Sequence, residues 1–163
     1  MMLEEINIKE SVDLYRNNIS FKNHSENDYI NLILLFWNIS FDYGLESFCV
    51  TEKIFTENEI SNFTTEIEKL FNDAFKNYPN NEELQFWKVY IDDLSTYSEC
   101  SHKENMHNYI NRDNFYLPHF YLYVQCGVLN IEQLKQLKII LLKEDDSYKK
   151  SYILSYLDDI EIS

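Results

Sequence analysis

Alanine, glycine and proline are almost missing from this chain of 163 residues, at one, two and two. Gly44 and Gly127 sit beside no Ser or Lys in a phosphate-cradling or nucleophile-elbow pattern, so neither a P-loop nor a Gly-x-Ser-x-Gly site is present. Three cysteines, Cys49, Cys100 and Cys126, are odd in number and far apart. That argues against a disulfide framework and for a reducing compartment, one disulfide plus a free thiol being the alternative. Long apolar runs are lacking as well. The most apolar stretch, Tyr29 to Phe41, is shorter than the ~20 residues of a membrane crossing and holds Asn31 and Asn38. Glu4, Glu5 and Glu10 break any signal-peptide pattern at Met1–Glu10. The expectation is a cytoplasmic protein with no membrane association.

Positive charge is the most telling shortage. There are 14 Lys plus Arg against 28 Asp plus Glu, a net charge of −14. Alanine, glycine, proline and arginine, the residues of GC-rich codons, are scarce, while Asn, Ile, Lys, Phe and Tyr abound, as in an AT-rich bacterial gene. Such coding favours lysine, so the acidity runs against the drift and reads as selected. A charge of this sign repels nucleic acid and anionic membranes and fits a basic protein partner. The 13 tyrosines and 11 phenylalanines would suit base stacking, but stacking platforms lie in basic grooves. Packing in a core is the better account of them. At 45% hydrophobic the chain is too apolar for disorder.

What is present is helical periodicity, organised around Thr56–Tyr97. Ile60, Phe63, Ile67, Leu70, Phe71, Ala74, Phe75 and Tyr78 recur at the 3.6-residue period, and Thr56 with Glu59 forms a capping box. Pro79 stops that helix, and Asn80-Asn81 turns the chain into a second one. There Leu84, Phe86, Trp87, Tyr90, Ile91, Leu94 and Tyr97 sweep a broad apolar arc, which needs neighbours on more than one side. Helices are also expected over 1–18, over 28–42 with Gly44 ending or kinking it, from Asn130 to Lys143, and after Ser147. A short one over 101–110 is an option. Phe115–Val128 reads as helix or strand; Pro118 near its start and Gly127 near its end favour helix. The expected fold is all-α, seven or eight helices stacked as antiparallel hairpins in one domain spanning 1–163.

Phe71, Ala74, Pro79, Asn80 and Asn81 resemble the end of a tetratricopeptide-type helix pair and the turn into the next. Val89 stands where such repeats carry Gly, Trp87 is displaced, and no second copy appears at the 34-residue period. The resemblance implies helical-hairpin stacking and no particular function.

Chemistry-bearing clusters are sparse. Cys100, His102, Glu104 and His107 hold metal-ligand residue types, but His102 and His107 lie about 140° apart round a helix and miss the usual zinc spacings. Cys100 with either histidine lacks an oxyanion device, and the acidic field raises a thiol pKa. Asp92-Asp93 and Asp158-Asp159, being adjacent, point to different helix faces rather than forming an acid/base pair. No enzyme activity, cofactor or metal is expected.

In size, acidity, cytosolic character and coding bias the chain resembles the helical immunity proteins of bacterial toxin–immunity systems. The resemblance implies a small domain that inhibits a basic toxin domain, such as a nuclease, by stoichiometric binding. A tetratricopeptide-like adaptor or chaperone gripping a peptide, and an acidic nucleic-acid mimic, are the alternatives. Partner-binding residues are expected in two acidic groups, Asp92, Asp93, Glu99 and Glu104, and Glu144, Asp145 and Asp146, with Tyr97, Tyr109 or Tyr116 as aromatic anchors.

Overall fold

A computed structural model of the chain describes residues 7–21, 24–96, 100, 102–104, 106 and 114–162. Among them are eight α-helices and no strand, so the fold is all-α. The residues group into two compact units, Met1–Leu84 and Gln85–Ser163. Their boundary falls inside a helix, which is why no change of composition marks it.

The first unit is built round its second helix. Helix α1 (Ile8–Ser20) is capped by Asn7, whose side chain accepts from Glu10 N at 3.1 Å, and buries Ile8, Val12 and Tyr15. Helix α2 (Glu26–Phe41) starts where the Asp28 carboxylate accepts from Ser25 N and Oγ at 2.8 and 3.0 Å. Every residue from Tyr29 to Trp37 is buried, and Ile39 with them. An apolar run of that kind is compatible with a strand. Here α1, α3 (Tyr43–Thr51) and α4 (Glu57–Asn77) all pack against α2, so a helix can be apolar all round.

The break between α2 and α3 is set by Asp42. Its carboxylate accepts from Gly44 N and Leu45 N at 2.9 and 3.1 Å, capping α3 as α2 ends. Gly44 permits the close approach, since a Cβ there would lie 3.2 Å from Asp42 Oδ1. The Thr56–Glu59 capping box forms as expected, with Glu59 Oε2 accepting from Thr56 N at 2.7 Å. These hydrogen bonds hold the Glu59 carboxyl below its usual pKa. Ile60, Phe63, Ile67, Phe71 and Ala74 form the buried stripe of α4. Phe63 stacks on Phe36 at 4.2 Å and meets Phe55 edge-on at 5.2 Å. Arg16 joins three helices: its guanidinium lies 5.1 Å from the Phe36 ring centre and pairs with Glu66 at 2.9 Å. At the Pro79 corner Tyr78 donates to His24 O at 2.7 Å, and Asn81 Oδ1 accepts from Leu84 N at 2.9 Å to start the next helix.

That helix, α5 (Glu82–Ser95), carries the chain into the second unit. The stretch open to two readings is helix α6 (Leu117–Cys126), with Pro118 in its first turn and Gly127 closing it at φ +62°, a left-handed position glycine adopts without steric cost. Helices α7 (Ile131–Lys143) and α8 (Tyr148–Tyr156) follow, α7 packing on both α6 and α8. Ser147 caps α8, accepting from Lys150 N at 3.2 Å. Asn130 occupies the cap position of α7 but does not cap with its side chain, which bonds His119 at 3.1 Å instead. The core of this unit is aromatic. Tyr90 stacks on Phe120 at 5.7 Å, Trp87 meets both Tyr90 and Tyr152 edge-on, and the Tyr90 and Tyr152 hydroxyls lie 2.8 Å apart. Lys138 Nζ donates to the carbonyls of Leu157, Asp158 and Ile160 at 2.8, 3.2 and 2.9 Å, gathering the end of α8 and the turn beyond it.

Cys100 and Cys126 form a disulfide with Cα atoms 5.1 Å apart, and Cys49 is free and buried. This is the alternative of one disulfide plus a free thiol, and with it the cysteines no longer argue for a reducing compartment. A spacing of 26 residues carries no local pattern, and only the packing of the unit brings the two sulfurs together.

Candidate interaction surfaces

Of the first expected acidic group, Asp92 and Asp93 face opposite ways. Asp92 is exposed and pairs with Lys88 one turn earlier at 2.8 Å. Asp93, only 1% exposed, points inward and accepts from the Tyr121 hydroxyl at 2.5 Å. Adjacent helix positions diverge by about 100°, so one aspartate faces water while its neighbour joins the core. Tyr121 also accepts from His102 N at 3.2 Å. Burial and the Asp93 carboxylate push the Tyr121 phenol up to about 12, so the proton stays on tyrosine and serves Asp93. Glu104 is exposed. Glu99, Tyr97 and Tyr109 lie outside the described residues, and Tyr116, just before α6, is half-buried.

The second group, Glu144, Asp145 and Asp146, is exposed between α7 and α8. Lys150 crosses it, donating to Glu144 O at 2.8 Å and to Asp146 Oδ1 at 3.1 Å, which offsets part of its charge. Lys143 and Lys149 flank the same turn. Exposed ion pairs of this kind contribute about 0–1 kcal/mol each.

Of the cluster with metal-ligand residue types, Cys100 is consumed by the disulfide and His107 lies outside the described residues. No group of metal-ligating side chains occurs among the described residues. His119 is buried beside Asn130, and burial lowers its pKa, keeping the ring neutral. Burial likewise pushes the Cys49 thiol up to about 11. No helix among the described residues is long and apolar enough to cross a membrane.

The surface that sequence reasoning missed lies in the first unit. Phe41, Tyr43 and Phe48 are 43%, 88% and 44% exposed although they sit at the end of α2 and along α3. Just beyond α3 a cleft of about 710 Å³ is lined by Val50, Ile54, Phe55 and the first turn of α4. Glu57 and Glu59 line the cleft together with Lys53, and the Lys9 ammonium lies 5.0 Å from the centre of the Phe55 ring. Aromatic residues read as core by default, so periodicity gave no sign that these three face water. Comparison of the chain with protein-family models, with curated proteins and with solved structures finds no match.

Proposed function

We propose that the protein is an immunity protein, a catalytically inert inhibitor that binds a basic bacterial toxin domain such as a nuclease in the cytoplasm. The observation that carries this reading is the charge of −14, held against a coding bias that favours lysine. Carboxylates of the inhibitor would stand where substrate phosphates stand on the toxin, and opposite fields would speed encounter by about 10–10³-fold. Rim charge controls rate more than residence, so the complex also needs aromatic anchors in the interface. The exposed aromatic side chains of the first unit support that requirement.

The reading expects a toxin gene beside this one, and its test is titration of that toxin. Toxin activity should fall linearly to an endpoint at a fixed molar ratio, with the toxin's mass unchanged. Continued loss at strongly sub-stoichiometric amounts would show turnover and end the inhibitor reading. A neighbouring secretion or assembly operon in place of a toxin gene would favour the adaptor.

A further inference from the structure

We infer that the Cys100–Cys126 disulfide is a redox switch, and that its reduction by a dithiol opens the chain at Cys100 and His102 and releases the buried Asp93 carboxylate to water. The bond ties Cys100 to the last residue of α6. Two residues past Cys100, His102 N donates to the Tyr121 hydroxyl at 3.2 Å, and that hydroxyl donates to Asp93 Oδ2. The backbone that the disulfide anchors therefore lies against the hydrogen bond holding a carboxylate that is only 1% exposed.

Three costs oppose this closed arrangement. A carboxylate out of water loses hydration that hydrogen bonds replace only in part. Cys100 stands at φ +57°, a left-handed conformation unfavourable for any residue with a Cβ. Holding residues 26 apart together costs chain entropy. The covalent bond offsets all three, and cutting it tips the balance toward opening at this place. Elsewhere the unit has its own support. Trp87, Tyr90, Phe120 and Tyr152 pack ring against ring, and Lys138 gathers the end of α8. Opening is thus a local event rather than unfolding.

Reach selects this bond for exchange. Cys100 and Cys126 are half-buried, whereas Cys49 is fully buried and stays out of the reaction. One thiolate of the dithiol attacks a sulfur of the pair, forming a mixed disulfide and expelling the other sulfur as thiolate. The second thiol of the reductant then attacks the mixed disulfide, closes its own ring and frees the remaining cysteine. Two electrons pass to the pair, and the two thiol protons of the reductant end on Cys100 and Cys126.

The probe is dithiothreitol added to the full chain, with carbodiimide coupling of carboxylates to a small amine, read residue by residue by tandem mass spectrometry. In the oxidised chain Asp93 should couple slowly and exposed Asp92 fast. Reduction should speed coupling at Asp93 by about tenfold or more, as for a site that opens locally, and leave Asp92 unchanged as the internal standard. The His102 amide should lose hydrogen-exchange protection while the amides of α7 and α8 keep theirs. Reoxidation should restore the protection of Asp93, and Cys100→Ser with Cys126→Ser should couple like the reduced chain without any reductant. Loss of exchange protection across α7 and α8 on reduction would make the bond a plain staple and overturn the switch. So would a bond that survives dithiothreitol in the folded chain, or Asp93 coupling at one slow rate in both forms.

Discussion

Removing the Cys100–Cys126 link is the sharpest test of the second unit. The bridge spans 26 residues, and in the chain-entropy treatment a loop of that length contributes about 3.5 kcal/mol at 25 °C by restricting the unfolded chain. Reduction also frees Cys100, two residues from the backbone amide that His102 donates to Tyr121. Against a total stability of roughly 5–15 kcal/mol, the loss is large. With a urea dependence of roughly 1–3 kcal/mol per M, the unfolding midpoint should drop by about 1.2–3.5 M. The two tryptophans fall one to each unit, Trp37 in the first and Trp87 in the second. A Trp37→Phe variant therefore reports on the second unit through Trp87 emission alone. Oxidised and reduced forms of this variant should unfold at separate midpoints, and Cys100→Ala with Cys126→Ala should match the reduced form. The oxidised chain, denatured, should titrate with one thiol, and the reduced chain with three. Coincident midpoints, or three reactive thiols after mild oxidation, would refute the argument.

Truncating Phe63 to Ala should cost about 3–5 kcal/mol in urea denaturation, because the ring is fully buried and its loss leaves Phe36 and Phe55 facing a cavity. Alkali should destabilise the second unit. Tyr121 titrates near 12 when folded and near 10 when unfolded, so its contribution is complete below pH 10 and is lost as pH rises toward 12. Spectrophotometric titration should show a class of buried tyrosines that ionises only with loss of structure, Tyr90 and Tyr152 among them, and Tyr121→Phe should remove part of the pH dependence. Cys49, buried and with its thiol pushed up to about 11, should resist alkylation at pH 8 until the first unit unfolds; rapid labelling of the native chain would contradict its burial.

Local signals carried most of the fold. The Thr56–Glu59 box, the Pro79 stop and the Pro118/Gly127 pair each act within a few residues, so they are readable without knowing what packs where. Signals that depend on a distant partner were not. Asn130 has the right type to cap α7, yet a buried histidine drew its side chain away. Asp93 reads like Asp92 until Tyr121 is known to lie beneath it. For the surface, composition supplied the sign of charge but not the face. Nothing in Phe41, Tyr43 and Phe48 distinguishes them from the phenylalanines and tyrosines that fill both cores, since exposure is decided by which residues the neighbouring helices cover.

The burial of α2 on all sides from Tyr29 to Trp37 carries a consequence for synthesis. Its apolar run is finished at Phe41, but α4, its most extensive partner, is complete only at Asn77. At about 5–20 residues per second, roughly 36 residues take about 2–7 s to add. During that interval α2 leaves the ribosome ahead of the helix that shields it. Rich in Asn, Ile and aromatic residues, α2 has no strong intrinsic preference to fold by itself. Nascent chains paused before Asn77 should therefore be the species that chaperones hold, and translation speed across 42–77 should govern how much of the protein is recovered without aggregation.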